Sequence, residues 1–143
     1  MPCLKKHSLL LAAALWNLMA GAAPATGIQV IANPSVTATA ISCEEIKGVF
    51  LETRTALSDG SHVEPVLLQS GVVHRAFVKE FLGKGDAALE TYYRSLVFAG
   101  RGLIPKTLES DAAVVQYVAK TKGTVGYVSA AASVAGVKVL DIR

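Results

Sequence analysis

The sequence predicts an α/β domain built on a mostly parallel sheet flanked by helices. Runs rich in β-branched residues recur at 27–32, 62–69, 124–129 and 137–142. Between them lie segments whose apolar residues repeat at helical spacing. The resulting order is strand, helix, strand, three helices, strand, strand. Strands separated by helices favour a layered domain whose sheet is largely parallel.

Each element has a local justification. The first strand, 27–32, is closed by Asn33-Pro34, and 35–40 reads as a connecting loop. Ser42-Cys43-Glu44-Glu45 is a capping box, with Ile41 and Ile46 at the positions of a hydrophobic staple. The helix that follows, 43–51, carries Ile46, Val49 and Phe50 on its apolar face. Ser58-Asp59-Gly60-Ser61 turns the chain into the second strand, 62–69. After Ser70, Val73, Phe77 and Phe81 predict a helix to about Leu82, stopped by Gly83. Asp86 opens the next helix, with Leu89, Tyr93, Leu96 and Val97 on one face. Gly100, Gly102 and Pro105 break it. Ser110 or Asp111 starts the last helix, which carries Val114, Tyr117 and Val118 and stops at Gly123.

The chain has 143 residues, enough for one domain. Residues 1–22 read as a signal peptide, leaving 23–143 as the domain. Lys5, Lys6 and His7 are followed by an apolar run from Leu9 to Ala23, and Ala20-Gly21-Ala22 supplies a small-x-small cleavage pattern. The run is shorter than the roughly 20 residues a spanning helix needs. An uncleaved anchor is the alternative reading. Cleavage implies export, and the expected compartment is the periplasm. No acidic residue precedes Glu44, so loss of the leader takes two lysines from 14 basic residues against 11 acidic and leaves a balance of +1. That balance gives no support to nucleic-acid binding. Cys3 leaves with such a leader, so Cys43 is expected to stand alone.

The stretch from Gln69 to Phe77 is the candidate site. A strand that ends in Ser-Gly and turns directly into a helix gathers unpaired backbone N–H groups at one point, which suits an anion. Ser70 can cap the helix, Gly71 and Val72 form the turn, and Arg75 lies one turn inside. An ordinary solvated cap is the plainer reading. A Ser70–His74 hydrolase is disfavoured, because the Gly-x-Ser-x-Gly elbow is missing. The histidines lack zinc-ligand spacing, and the two Gly-x-Gly turns lack the rest of a nucleotide loop. No cofactor, metal or catalytic residue is expected. Arg101 is a further basic residue that could share the Ser70 end of the sheet.

Several fragments together resemble the phosphate ABC transporter substrate-binding (PstS-like) family, which has the type II periplasmic binding protein fold. They are Val30-Ile31-Ala32-Asn33-Pro34-Ser35-Val36, Glu44-Glu45-Ile46-Lys47-Gly48-Val49-Phe50-Leu51, Asp59-Gly60, Val66, Ser70 with Arg75-Ala76-Phe77, Phe98-Ala99-Gly100-Arg101-Gly102 with Pro105, and Val118 to Val128 with its Gly-x-x-Gly-Tyr-Val. The resemblance implies a single-lobe periplasmic-binding-protein-like domain that holds phosphate or a similar small oxyanion for an ABC-type uptake system. Ser70, Gly71, Val72 and Arg75 would form the ligand cradle, and the loop through Asn33 and Ser35 one wall. Implied partners are the oxyanion, an ABC permease or other envelope protein, and a second copy of the chain. The alternative is an envelope interaction module that keeps the fold without the ligand. In the family the loop reads Ser-Gly-Thr. Val72 replaces the threonine and offers only its N–H, a loss of about 1.5–3 kcal/mol to a charged ligand.

Overall fold

The computed structural model describes residues 27–143, so the signal-peptide reading of 1–22 lies outside the described residues. The elements run β1 (Ile28–Ala32), β2 (Ala40–Ile41), α1 (Cys43–Phe50), β3 (Glu64–Leu68), α2 (Val72–Phe77), α3 (Asp86–Phe98), β4 (Lys106–Leu108), α4 (Asp111–Lys120), β5 (Thr124–Ser129) and β6 (Lys138–Ile142). α2 continues directly into a π-helical turn, Val78–Leu82, which ends on left-handed Gly83. No helix among the described residues is long and apolar enough to cross a membrane.

The strands form one six-stranded sheet in the order β2-β6-β1-β5-β3-β4. β3 runs parallel to β4 and β5, and β2 parallel to β6. β1 alone is reversed, antiparallel to both its neighbours, β5 and β6. The sheet is therefore mostly parallel, as expected, with one strand against the grain. Two short strands, β2 and β4, lie in stretches read as loop or breaker.

Apolar side chains fill both faces. On one, Phe50 of α1 and Phe77 of α2 pack on Tyr127 of β5, with ring centroids 5.7 and 3.7 Å away. On the other, α4 lies so close that a Cβ on Gly126 would sit 3.0 Å from Val114 Cγ1 and 3.4 Å from a Val118 methyl. The glycine in β5 therefore sets the spacing of that layer. α3 docks on α1 by hydrogen bonds: the Tyr92 hydroxyl donates to Leu51 O at 2.6 Å, and that of Tyr93 donates to Phe50 O.

The capping box forms as the spacing predicts. The Ser42 hydroxyl accepts from the Glu45 N–H at 3.1 Å, and Glu45 Oε2 accepts from the Ser42 N–H at 2.7 Å. Ile41 and Ile46 are fully buried beside it. The other carboxylate oxygen of Glu45 accepts from both the N–H and the hydroxyl of Ser58. Burial raises the Glu45 pKa, but these bonds from Ser58 and Ser42 outweigh it and hold the carboxyl at about 2, against an ordinary 4.5. Cys43 lies half-buried in the first turn of α1, and the described residues contain no free cysteine. The lone-thiol expectation rested on losing Cys3, which lies outside the described residues.

A depressed carboxyl pKa stabilises the fold fully above its ordinary value, and the contribution disappears as pH falls toward the folded value. Urea midpoints should therefore drop from about pH 4.5 toward pH 2. Glu45→Gln should lose about 1 kcal/mol or more at neutral pH and show a flatter acid limb.

Candidate functional site

Strand register defines the two ends of the sheet. Leu68 pairs with Leu108, and Ser129 with Ile28. The C-terminal ends of β3, β4 and β5 therefore share one end with the start of β1. The Gln69–Val73 loop leaves the sheet there, anchored by the Gln69 N–H on Leu108 O at 2.8 Å.

Within that loop Gln69, Ser70 and Val72 are exposed. Gly71 has φ 109° and ψ 177°, a region essentially limited to glycine. Gly71, rather than Ser70, occupies the N-cap of α2, and no side chain caps the helix. The expected Ser70 cap is thus corrected, because the serine stands one residue too early. The Arg75 N–H is the first to close a helical bond, on Gly71 O at 3.0 Å. The N–H groups of Val72, Val73 and His74 ahead of it are the usual orphan donors of a helix start. Arg75 is exposed and lines a shallow groove of about 500 Å³ with Lys79, Lys84 and Asp86.

Asn33 and Ser35 lie at the opposite end of the sheet. β1 is reversed, so its last residue, Ala32, pairs with Val125 near the start of β5. Asn33 is buried there. Its Nδ2 donates to Val118 O at 2.7 Å and Ala119 O at 3.1 Å, and its Oδ1 accepts from the Ser35 N–H at 2.9 Å. The Ser35 hydroxyl accepts from the Gly123 N–H at 3.0 Å. Both residues thus fasten β1 to the end of α4, and they do not join Ser70 in one site. Arg101 is also at that far end, lining a cavity of about 400 Å³ with Glu52, His62 and Glu64.

The structure brings to the loop a buried polar group that the sequence did not disclose. The Tyr127 hydroxyl accepts from the Leu68 N–H at 3.2 Å and bonds His74 Nδ1. His74 Nε2 faces Asp86 Oδ1 at 3.5 Å. Leu68 N–H can only donate, and the tautomer that pairs every group has Nδ1 accepting the Tyr127 proton and the ring proton of His74 on Nε2, towards Asp86. Burial lowers the His74 pKa, Asp86 raises it and Arg75 lowers it further. Burial raises that of Tyr127. Both nitrogens of His74 are thus directed to Tyr127 and Asp86 rather than to Ser70. Among the described residues no cluster of three His, Cys, Asp or Glu side chains could hold a metal.

No protein-family model matches the sequence, and a search of curated proteins finds no match. Solved structures do match. An ABC-type phosphate transport receptor from Vibrio cholerae superposes with a TM-score of 0.62 at 13% identity, over 81% of this chain and 46% of its own. PstS from Borrelia burgdorferi gives 0.61 at 15%, over 81% and 47%. A possible phosphate binding protein from Planctomyces limnophilus gives 0.54 at 18%, over 82% and 41%. The chain thus has the fold of one lobe of PstS-like phosphate ABC transporter substrate-binding proteins and spans less than half the length of these three.

Gly71→Ala should cost about 1–3 kcal/mol from backbone strain alone, since nothing lies within 4 Å of an added Cβ. Chemical denaturation would measure the loss, and amide spectra should place the largest shifts in the 69–73 loop.

Proposed function

We propose that this chain is an exported, non-catalytic solute-binding protein that holds phosphate or a similar small oxyanion for an ABC-type uptake system. The observation that carries the reading is the fold of one PstS-like lobe, with a Ser-Gly turn entering a helix at the C-terminal end of a parallel strand. In open α/β sheets, ligands bind outside the carboxyl ends of the strands. The Ser70 hydroxyl and the N–H groups of Val72 and Val73 would donate to the anion, with Arg75 supplying positive charge. Gly71 holds the turn open for close approach. One lobe leaves part of such a ligand in water, and Val72 contributes no hydroxyl, so the binding is weak unless a second copy or an envelope partner closes over it.

A second reading, an interaction module that retains the fold, draws on one observation. Phe98, Leu103 and Ile104 are 85, 80 and 60% exposed around the α3–β4 connection. Contiguous exposed apolar residues commonly mark partner surfaces.

Calorimetric titration with phosphate and sulfate separates the two. The oxyanion reading expects saturable heat that weakens about tenfold to hundredfold in Ser70→Ala. Absence of heat up to millimolar ligand in both proteins, with the fold intact, would leave the interaction reading.

A further inference from the structure

We propose that Tyr127, His74 and Asp86 form an acid-sensitive latch on the Gln69–Val73 loop, closed while His74 is neutral and opened when it takes a proton. The inference rests on the oxyanion reading only for what the loop holds; the latch itself is a property of the unliganded chain.

The geometry supplies the mechanism. Leu68 is the last residue of β3 and His74 lies in the first turn of α2, so the loop is the chain between them. One hydroxyl, from Tyr127 in the middle of β5, bonds both of those residues and so clasps the loop at its two feet. Tyr127 is fully buried, stacked on Phe77 at 3.7 Å and edge-on to Phe50 at 5.7 Å. Every buried side-chain N or O atom among the described residues has a partner in this arrangement.

The arrangement works only while Nδ1 is an acceptor. When His74 is protonated, Nδ1 becomes a donor. Tyr127 Oη then faces donors from Leu68 and from His74 while still carrying its own proton. The rings of Phe77 and Phe50 offer that proton no acceptor of comparable strength. With that bond unmade, Tyr127 no longer holds the ring, and the charged imidazolium, costly to keep buried, turns towards Asp86 and the water of the groove, so the Tyr127–His74 link parts and frees one foot of the loop.

The groups facing His74 set where this happens. Arg75 on its own helix opposes the proton, Asp86 on α3 favours it, and Tyr127 on β5 requires the neutral form. Glu90, Tyr93 and Arg94 of α3 line the same groove, of about 480 Å³, beside the imidazole. Burial dominates, so His74 titrates below the ordinary 6.5. With the folded value depressed, the unfolded chain binds the proton first, and stability falls as pH drops below 6.5.

Nitrogen-15 spectra of the protein, recorded without any ligand while pH is lowered, test the latch. The expected result is an Nε2-protonated tautomer at alkaline pH and a His74 midpoint below 6.5. The Ser70, Gly71 and Val72 amides should shift with that same midpoint. His74→Gln, whose side-chain oxygen can still accept from Tyr127, should abolish the coupled shift. Asp86→Asn should lower the midpoint, and Tyr127→Phe should raise it and uncouple the loop. The two histidine-retaining variants guard against one that fails to fold. An Nδ1-protonated tautomer, loop amides indifferent to the titration, or a His74 that stays neutral until the protein unfolds would overturn the proposal. Phosphate calorimetry reads the site instead: absent binding beside a pH-coupled loop would count against the oxyanion reading alone.

Discussion

The Tyr127 side chain is the contact on which the candidate site depends. Its ring lies 3.7 Å from that of Phe77 and nearly parallel to it, and its hydroxyl reaches the backbone of β3 and the imidazole of α2. Apolar packing positions the ring, and the ring positions a polar group in a place where water could not supply one. The burial of Phe50, Phe77 and Tyr127 therefore fixes the helical layer against the sheet and also fixes the start of α2 against the end of β3. Without that stack the loop would be tied to the sheet chiefly through Gln69.

Features decided by neighbours in sequence were legible from it. The Ser42–Glu45 box, the Ser110 cap on Ala113 and the left-handed stops at Gly83 and Gly123 all depend on residues within a turn of one another. β2 and β4 were not legible. Ala40–Ile41 and Lys106–Leu108 are too short for an alternating pattern, and each is a strand only because β6 or β3 runs beside it. Strand direction is likewise a property of partners, so nothing within 27–32 announced that β1 is reversed.

That reversal explains why the candidate site was only partly legible. Ser70, Gly71, Val72 and Arg75 are adjacent in sequence, and the strand-to-helix turn was visible as such. Asn33 and Ser35 follow a strand as well, but one that points the other way, so their loop opens at the far end. Asn33 spends its side chain closing the carbonyl end of α4. The Tyr127–His74 bond joins residues 53 apart, and no local pattern encodes it. A histidine three residues before Phe77 and seven before Phe81, on the apolar side of the expected helix, was the available hint.

The two strands hardest to foresee are also the two borders of the sheet. β2 offers two residues of unpaired backbone edge and β4 three. A foreign strand laid along either would gain few main-chain hydrogen bonds, and short edges are one way that sheets avoid being extended. Growth of the sheet into a filament, or capture of an extended peptide by strand addition, is thus poorly supported by this architecture. Association through the described residues would rest on side chains, and the two most exposed large apolar ones, Phe98 and Leu103, sit at the end of α3 and on the connection leading into β4 rather than on the strand itself.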